Sequence, residues 1–388
     1  MSFVLRPYQI DAVKANVGFF RSNAKHNELQ ILPTGSGKSL VIANTVAELS
    51  GPTLIFQPSK EILVQNFQKY LSYGYRAGIY SASAGLKHRD RVTFATIGSV
   101  IKKKHLFSGI ENIIIDECHL VNPEEGMYRD FVTAFPKAKV LGLTATPYRL
   151  ASAMDGAELR FLTRTRPRIF NKVNYYVQND VLFNAGHLAP LEYYSFNVVD
   201  RSRLEMNKSG TDFTEQSIRS YFRTVNMPQV LADKAKRILQ KRKNLLVFCS
   251  LVSEAYEVAK MVPEAVVLHG ETEGPVRDQM LRYFKSGKIN CVVNVGVLTT
   301  GFDYPELEAV LIGRSTMSLA LYYQIVGRVM RPYKYPDGAM KTGWVVDCGG
   351  NINFFGKIET MKIGFDAKGL FIITNNGRQL TNVPFTKD

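Results

Sequence analysis

Pro33-Thr34-Gly35-Ser36-Gly37-Lys38-Ser39 gathers two glycines, a lysine and hydroxyls in one short stretch. That combination suits phosphate chemistry. Glycines let backbone N–H groups converge on one anion, and a helix opening behind them adds partial positive charge. In such a loop Lys38 reaches the β- and γ-phosphates of a nucleotide, and the Ser39 hydroxyl sits on Mg2+. The strict pattern has a small residue at position 32, where this chain has Leu32. Two acids, Asp116 and Glu117, follow Ile113-Ile114-Ile115. Asp116 suits a metal ligand. Glu117 suits the base that orients and deprotonates an attacking water. A solvated acidic turn is the plainer reading of the same pair. Thr144 and Thr146 place hydroxyls at another strand end, either to relay nucleotide state or simply to cap. The Gln9 amide matches the donor and acceptor edge of adenine, with Arg6 or Tyr8 placed to stack; an ordinary helix start also accounts for them. Arg328 and Arg331 are three apart, with Gly327 leaving room for close approach. Arginines so placed can stabilise charge on a transferring phosphoryl group. As isolated residues they read as two surface arginines.

These residues need elements to hold them. Leu29 to Leu32 reads as a short buried strand, and Val41, Ile42, Thr45, Val46 and Leu49 give a helix over 40–49. A strand over 53–58 precedes Ser59, which caps a helix carrying Ile62, Leu63, Phe67 and Leu71. Strands follow over 76–81, 92–96, 113–115 and 139–146. Strand and helix alternate through 29–146, which predicts an open parallel α/β sheet with ligands at the strands' C-terminal ends. Lys102, Lys103, Lys104 and His105 form a solvated helix face or a nucleic-acid contact. Residues 159–172 are basic without an acid, and Phe161, Phe170, Tyr175 and Tyr176 are interleaved or close by. This stretch reads as a connector, compatible with contact to a strand's phosphates and bases, and the domain boundary is placed near 195. A second alternation follows: helix 229–240, strand 245–249, helix 252–261, strand 265–268, helix 274–284, strand 291–295 and strand 310–312. It ends in a helix over 322–331 that sets Arg328 and Arg331 on one face. This second sheet has no Lys-Ser phosphate loop. Beyond it, 364–374 with Asn376-Gly377 predicts a hairpin and a turn.

The chain has 388 residues, enough for two or three domains, a net charge of +15 and a pI near 9.5. That surplus favours a polyanionic partner. Cys118, Cys249, Cys291 and Cys348 lie far apart without zinc-ligand spacing, as in a reduced cytoplasmic protein. No signal peptide and no membrane-spanning run is read, so no membrane partner is expected.

In order, Gln9, PTGSGKS at 33–39, DECH at 116–119, TAT at 144–146, TTGFD at 299–303 and QIVGRVMR at 324–331 resemble the motifs of superfamily 2 helicases and translocases. The resemblance covers about Leu5 to Asp347. With LRPYQ, LTATPYRL, NVGVLTTGFD and YYQIVGRVMRP it is closest in kind to the RadD type of bacterial DNA-repair helicase. That type carries a cysteine-rich zinc segment after its second core domain, and none is read here before Asp388. A phage-encoded minimal version fits the short chain.

The resemblance implies two RecA-like open parallel sheets in tandem, over 1–150 and 196–350. A basic connector covers 151–195, and a small C-terminal β extension covers 351–388. It implies ATP and Mg2+ as ligands and DNA, single-stranded or branched, as partner through its backbone; other repair or replication proteins are further candidate partners. Arg6, Gln9, Pro33, Thr34, Gly35, Ser36, Gly37, Lys38 and Ser39 bind nucleotide, with Ser39 and Asp116 on the metal. His119, Thr144 and Thr146 couple the nucleotide to the strand. Gly301 and Asp303 face the nucleotide from the second domain, and Glu117, Lys38, Gln324, Arg328 and Arg331 carry catalysis. Pro58, Ser59, Thr96, Ser250, Thr299 and Thr300 touch or line the strand path. The implied activity is an ATP-dependent DNA helicase or translocase. An RNA helicase and an ATP-gated DNA clamp remain alternatives.

Overall fold

The structure is a computed structural model that describes residues 4–153, 156–299 and 301–385. It divides into two compact units, Met1–Arg149 with Arg160–Gln178, and Leu150–Leu159 with Asn179–Asp388. Among the described residues no helix is long and apolar enough to cross a membrane.

In the first unit, β1 (Glu28–Ile31), β2 (Thr53–Phe56), β3 (Gly78–Ser81), β4 (Leu86–His88), β5 (Val92–Ala95), β6 (Asn112–Asp116) and β7 (Lys139–Thr144) form most of one sheet. The chain then makes β8 (Tyr148–Ala153) and β9 (Gly156–Phe161) before returning as β10 (Lys172–Tyr176). The sheet order is β10-β1-β7-β6-β2-β5-β3-β4, parallel except for β4 against β3. β1, β2, β5 and β6 are buried along their whole length. Burial on both faces is why β2 and β6 are near-continuous apolar runs, whereas β1 buries Glu28 and Gln30 between its apolar residues. The crossovers are α1 (Pro7–Arg21), α2 (Lys38–Ala47), α3 (Lys60–Ser72), α4 (Ile97–Val100) and α5 (Met127–Ala134). Ser59 caps α3 as expected, its hydroxyl accepting from Ile62 N at 3.3 Å.

A linked set of polar side chains joins these layers. Asn16 of α1 donates to Gln30 of β1 and to Thr45 of α2, both at 3.1 Å. Gln30 donates back to Asn16 at 2.7 Å and to Ala12 O at 3.0 Å. Asn174 of β10 donates to Asn16 at 3.0 Å. Asn16, Gln30 and Thr45 are fully buried. Buried amides are tolerated because they satisfy one another, and that requirement fixes α1 against β1 and α2.

The basic stretch after residue 151 is divided between the units rather than forming one connector. Arg160–Gln178 belongs to the first unit because β10 pairs in parallel with β1. Phe161 and Phe170 are buried, so they are core and not stacking surfaces for bases. Phe170 lies against Gly142 of β7, where an added Cβ would stand 2.6 Å from its ring.

The second unit holds α6 (Asn179–Asn184), β11 (Leu191–Ser195), α7 (Glu215–Thr224), α8 (Met227–Leu239), β12 (Leu245–Phe248), α9 (Val252–Met261), β13 (Val266–His269), α10 (Gly274–Lys285), β14 (Cys291–Val295), β15 (Ala309–Ile312), α11 (Leu319–Val326) and β16 (Gly343–Asp347). Its sheet runs β11-β16-β15-β12-β14-β13, each pair parallel. β11 lies inside the predicted connector but is an edge strand of this sheet. α12 (Asn351–Phe355) leads to β17 (Met361–Phe365), β18 (Phe371–Asn375) and β19 (Arg378–Gln379), a small antiparallel sheet, and β20 (Pro384–Phe385) pairs with β9. Asn376 and Gly377 have φ of 48° and 79° and make the predicted turn. The architecture is thus the expected one: two parallel α/β sheets in tandem and a small C-terminal antiparallel sheet.

One element is shorter than its pattern. α11 ends at Val326, with Gly327 at its C-cap. Arg328 and Arg331 therefore do not share a helix face; they lie in the turn beyond it. Gly327 is a poor helix former, and Pro332 disfavours helical backbone in the residue before it.

Candidate nucleotide site

The phosphate loop is built from β1 outward. Gly35 and Gly37 both have φ of 83°, a left-handed backbone that side chains other than glycine's rarely adopt. Gly37 caps α2, so the amides of Lys38 and Ser39 open the helix with no intrahelical acceptor. A Cβ at Gly37 would stand 2.6 Å from Gln9 Nε2. The neighbouring Ser36 hydroxyl is buried without a hydrogen-bond partner. Gln9 and Tyr8 of α1 hold the loop: Gln9 Nε2 donates to Ser36 O at 2.8 Å and Tyr8 OH donates to the same oxygen at 2.6 Å. Gln9 Oε1 accepts from Arg6 N at 2.9 Å. In this arrangement the glutamine proposed for adenine is itself a loop-positioning group. Pro33 and Thr34 are buried at the strand's exit.

The acids arrive from β6, two strands away in the same sheet. Glu117 sits in a left-handed conformation, φ 50° and ψ 48°, which turns its side chain back toward the loop. Its Oε1 lies 3.2 Å from Lys38 Nζ, and its Oε2 lies 3.3 Å from His119 Nδ1. His119 Nδ1 is also 2.9 Å from Thr144 Oγ1, which accepts from Thr146 N at 3.0 Å. Burial alone would raise Glu117, but the Lys38 ammonium and His119 outweigh it and bring the carboxyl down to about 2. Asp116 behaves oppositely: burial, then the charge of Glu117, pushes it up to about 7 against the pull of Lys38. One acid is fixed as a carboxylate acceptor. The other is short of positive charge, which a divalent cation would supply. Asp116 and Ser39 offer the hard oxygen donors that Mg2+ takes.

Lys69 escaped the sequence reading. Its Nζ, in the last turn of α3, donates to Ser39 Oγ at 3.3 Å. No local pattern marks it, because thirty positions separate the pair in the chain.

In the second unit, Arg328 donates to Phe302 O at 2.6 Å and to Gln324 O at 3.1 Å. Arg331 is ion-paired with Asp303. The two arginines are thereby brought to the loop of Gly301, whose φ is 73°. Burial lowers Arg331 to about 10. Two further cations crowd it. Lys285 is lowered by burial and then by Arg331; Lys341, fully buried, is pushed down to about 7 by the same two causes in that order. Lys341 holds two backbone carbonyls, Pro305 O at 2.6 Å and Leu307 O at 2.9 Å.

The expected strand contacts follow strand ends. Pro58 and Ser59 follow β2 and Thr96 follows β5, its parallel neighbour; Ser250 follows β12 and Thr299 follows β14, also neighbours. Thr300 lies outside the described residues. Glu254 positions the turn at Ser250, accepting from Ser250 N at 3.1 Å and Leu251 N at 3.3 Å. Burial pushes its carboxyl up from 4.5 to about 7. The folded chain therefore binds more protons than the unfolded one between those values, and stability from this group falls as pH rises through them. Glu254→Gln removes that slope. Its stability relative to the parent, followed by urea unfolding, should rise by about 3 kcal/mol between pH 4 and pH 8.

Comparison with known proteins now bears on this geometry. Residues 2–149 match the family model described as type III restriction enzyme, res subunit, and residues 231–333 match the helicase conserved C-terminal domain. The chain is similar to proteins named as helicases and translocases. A 51.5 kDa protein of Lactococcus phage (isolate 7-9) is 27% identical to it, covering 81% of this chain and 64% of the phage protein. The DNA 3'-5' translocase XPB2 of Sulfurisphaera tokodaii is 25% identical, covering 84% and 78%. The chain spans about half to two thirds of the length of the first curated relatives it matches. Two solved structures share the fold. One is the ATP-dependent Type ISP restriction-modification enzyme LlaBIII bound to DNA, with TM-score 0.66 and 15% identity over 89% of this chain and 28% of that one. The other is Saccharomyces cerevisiae Dbp5 bound to RNA and ADP BeF3, with TM-score 0.57 and 15% identity over 88% and 87%. The two sheets are RecA-like.

Proposed function

We propose that this chain is an ATP-dependent DNA helicase or translocase. The observation that carries the reading is the contact chain from Lys38 through Glu117 and His119 to Thr144, at the mouth of a glycine loop with an orphaned serine hydroxyl. Lys38 and the loop amides bind the nucleotide's phosphates. Glu117, ionised, accepts the proton of the attacking water. His119, Thr144 and Thr146 hold that carboxylate and pass its position to the strand-binding loops. Ser39 and Asp116 hold Mg2+, which supplies charge neutralisation on the phosphates when bound. Gln9 with Arg6 serves the adenine end. Gly301, Asp303, Gln324, Arg328 and Arg331 of the second unit are assigned to nucleotide contact and hydrolysis as well.

Pro58, Ser59, Thr96, Ser250, Thr299 and Thr300 contact the strand mainly through its backbone. Affinity should then be weakly sequence-dependent, with a salt slope of about −0.7 per phosphate on a single strand. DNA is favoured over RNA by the similarity to a DNA translocase and by LRPYQ, LTATPYRL and YYQIVGRVMRP, which support the RadD type and a role in DNA repair in the bacterial cytoplasm.

ATP hydrolysis measured with matched DNA and RNA strands tests the proposal. DNA should stimulate the rate and RNA should do so less. Stimulation by RNA alone assigns the RNA reading. Strand-stimulated hydrolysis without translocation or unwinding assigns the clamp, and no stimulation by either strand removes the proposal.

A further inference from the structure

The C-terminal hairpin carries an apolar face out into solvent. Met361↔Asn375, Ile363↔Ile373 and Phe365↔Phe371 are successive cross-strand partners on one side of β17 and β18. At the base, Met361 and Ile373 are buried; at the tip, Phe365 is 54% exposed. The Phe365 and Phe371 rings lie 4.6 Å apart, tilted by 43°. Leu370 in the turn is 42% exposed. Grouped apolar side chains left in water mark a binding surface rather than a stabilising one.

The tip is tied together by hydrogen bonds. Asp366 accepts from Lys368 N at 2.9 Å and from Leu370 N at 3.0 Å, so its carboxylate is occupied in shaping the turn. The base is fastened to α11. Tyr322 stacks on Phe355 at 5.3 Å and 17°, and its OH donates to Gly356 O at 3.0 Å. Tyr323 OH donates to Asn179 Oδ1 at 2.6 Å, and Asn179 donates onward to Ile358 O at 3.1 Å. α11 is the helix that leads into Arg328 and Arg331.

We infer that the hairpin tip is a stacking site for unpaired bases of a nucleic-acid strand, an inference that rests on the strand-dependent activity proposed above. Charge selects this occupant. Between 361 and 379 the chain carries Lys362, Lys368 and Arg378 against Asp366 alone, within a chain of net charge +15. Lys362 is ion-paired with Asp180 and Arg378 lies over Phe354 at the base, which leaves Lys368 as the cation in the turn beside the exposed Phe365 and the half-buried Phe371; such a ring accepts any base, because every base has a stacking face.

Fluorescence anisotropy with a labelled oligothymidine strand and an abasic strand of equal length tests it. Phe365→Ala/Phe371→Ala should weaken oligothymidine binding about tenfold or more and leave abasic binding unchanged. Phe365→Tyr/Phe371→Tyr should retain the parent's affinity for both. A double alanine variant that binds both strands like the parent, or loses both in parallel, overturns the inference. A parent chain that binds neither strand overturns instead the activity on which it rests.

Discussion

Lys38→Ala stops ATP turnover, with the strand-stimulated rate falling at least about 10²- to 10³-fold, the loss typical of one missing charge-stabilising donor. Two contributions disappear together. The ammonium belongs to the phosphate loop itself, and it is also the partner of Glu117 at 3.2 Å. Without it, burial raises Glu117, and the acid loses part of the ionised population needed to accept a proton. The fold should persist, because Lys38 enters none of the polar contacts among Asn16, Gln30 and Asn174. A melting temperature within roughly 4 °C of the parent would confirm that. Unchanged strand-stimulated hydrolysis in this variant defeats the nucleotide-site assignment.

Arg331→Ala should lower hydrolysis by about 10³- to 10⁵-fold while nucleotide binding is retained. The guanidinium pairs with Asp303 while Lys285 and Lys341 press on it from the same neighbourhood. Arg331 with Lys285 beside it favours an anion brought to it, and favours one whose charge grows during reaction most of all. Arg331→Lys keeps the charge but loses the planar fork, and should recover only part of the rate. Equilibrium binding of a fluorescent nucleotide separates the roles. Lost binding would make Arg331 a binding group, and near-parental turnover would remove it from catalysis.

The sequence displayed the chemistry better than the contacts. A glycine loop, a strand ending in two acids and hydroxyls after a strand are local requirements, so PTGSGKS, DECH and TAT stand out as short strings. The central strands of both sheets were legible for a related reason, since strands buried on two faces are largely apolar, while β10, β11 and β16 were not read as strands. Pairings set by the tertiary fold were not legible. Lys69 meets Ser39, Tyr8 meets Ser36 and Lys341 meets the backbone at Leu307, all across chain separations that leave no periodic trace. The end of α11 was misjudged because apolar spacing continues through Val329 and Met330 after the helix has stopped. The basic stretch after residue 151 looked uniform in composition, yet its two ends obey different sheets.

The amide set of Asn16, Gln30, Thr45 and Asn174 has a bearing on how such a chain can evolve. Within it Asn16 and Gln30 each give and take, Thr45 accepts and Asn174 donates, so a lone exchange at Asn16 or Gln30 takes partners from buried neighbours. The helix that props the glycine loop therefore accepts change at these positions only where the partners change with it.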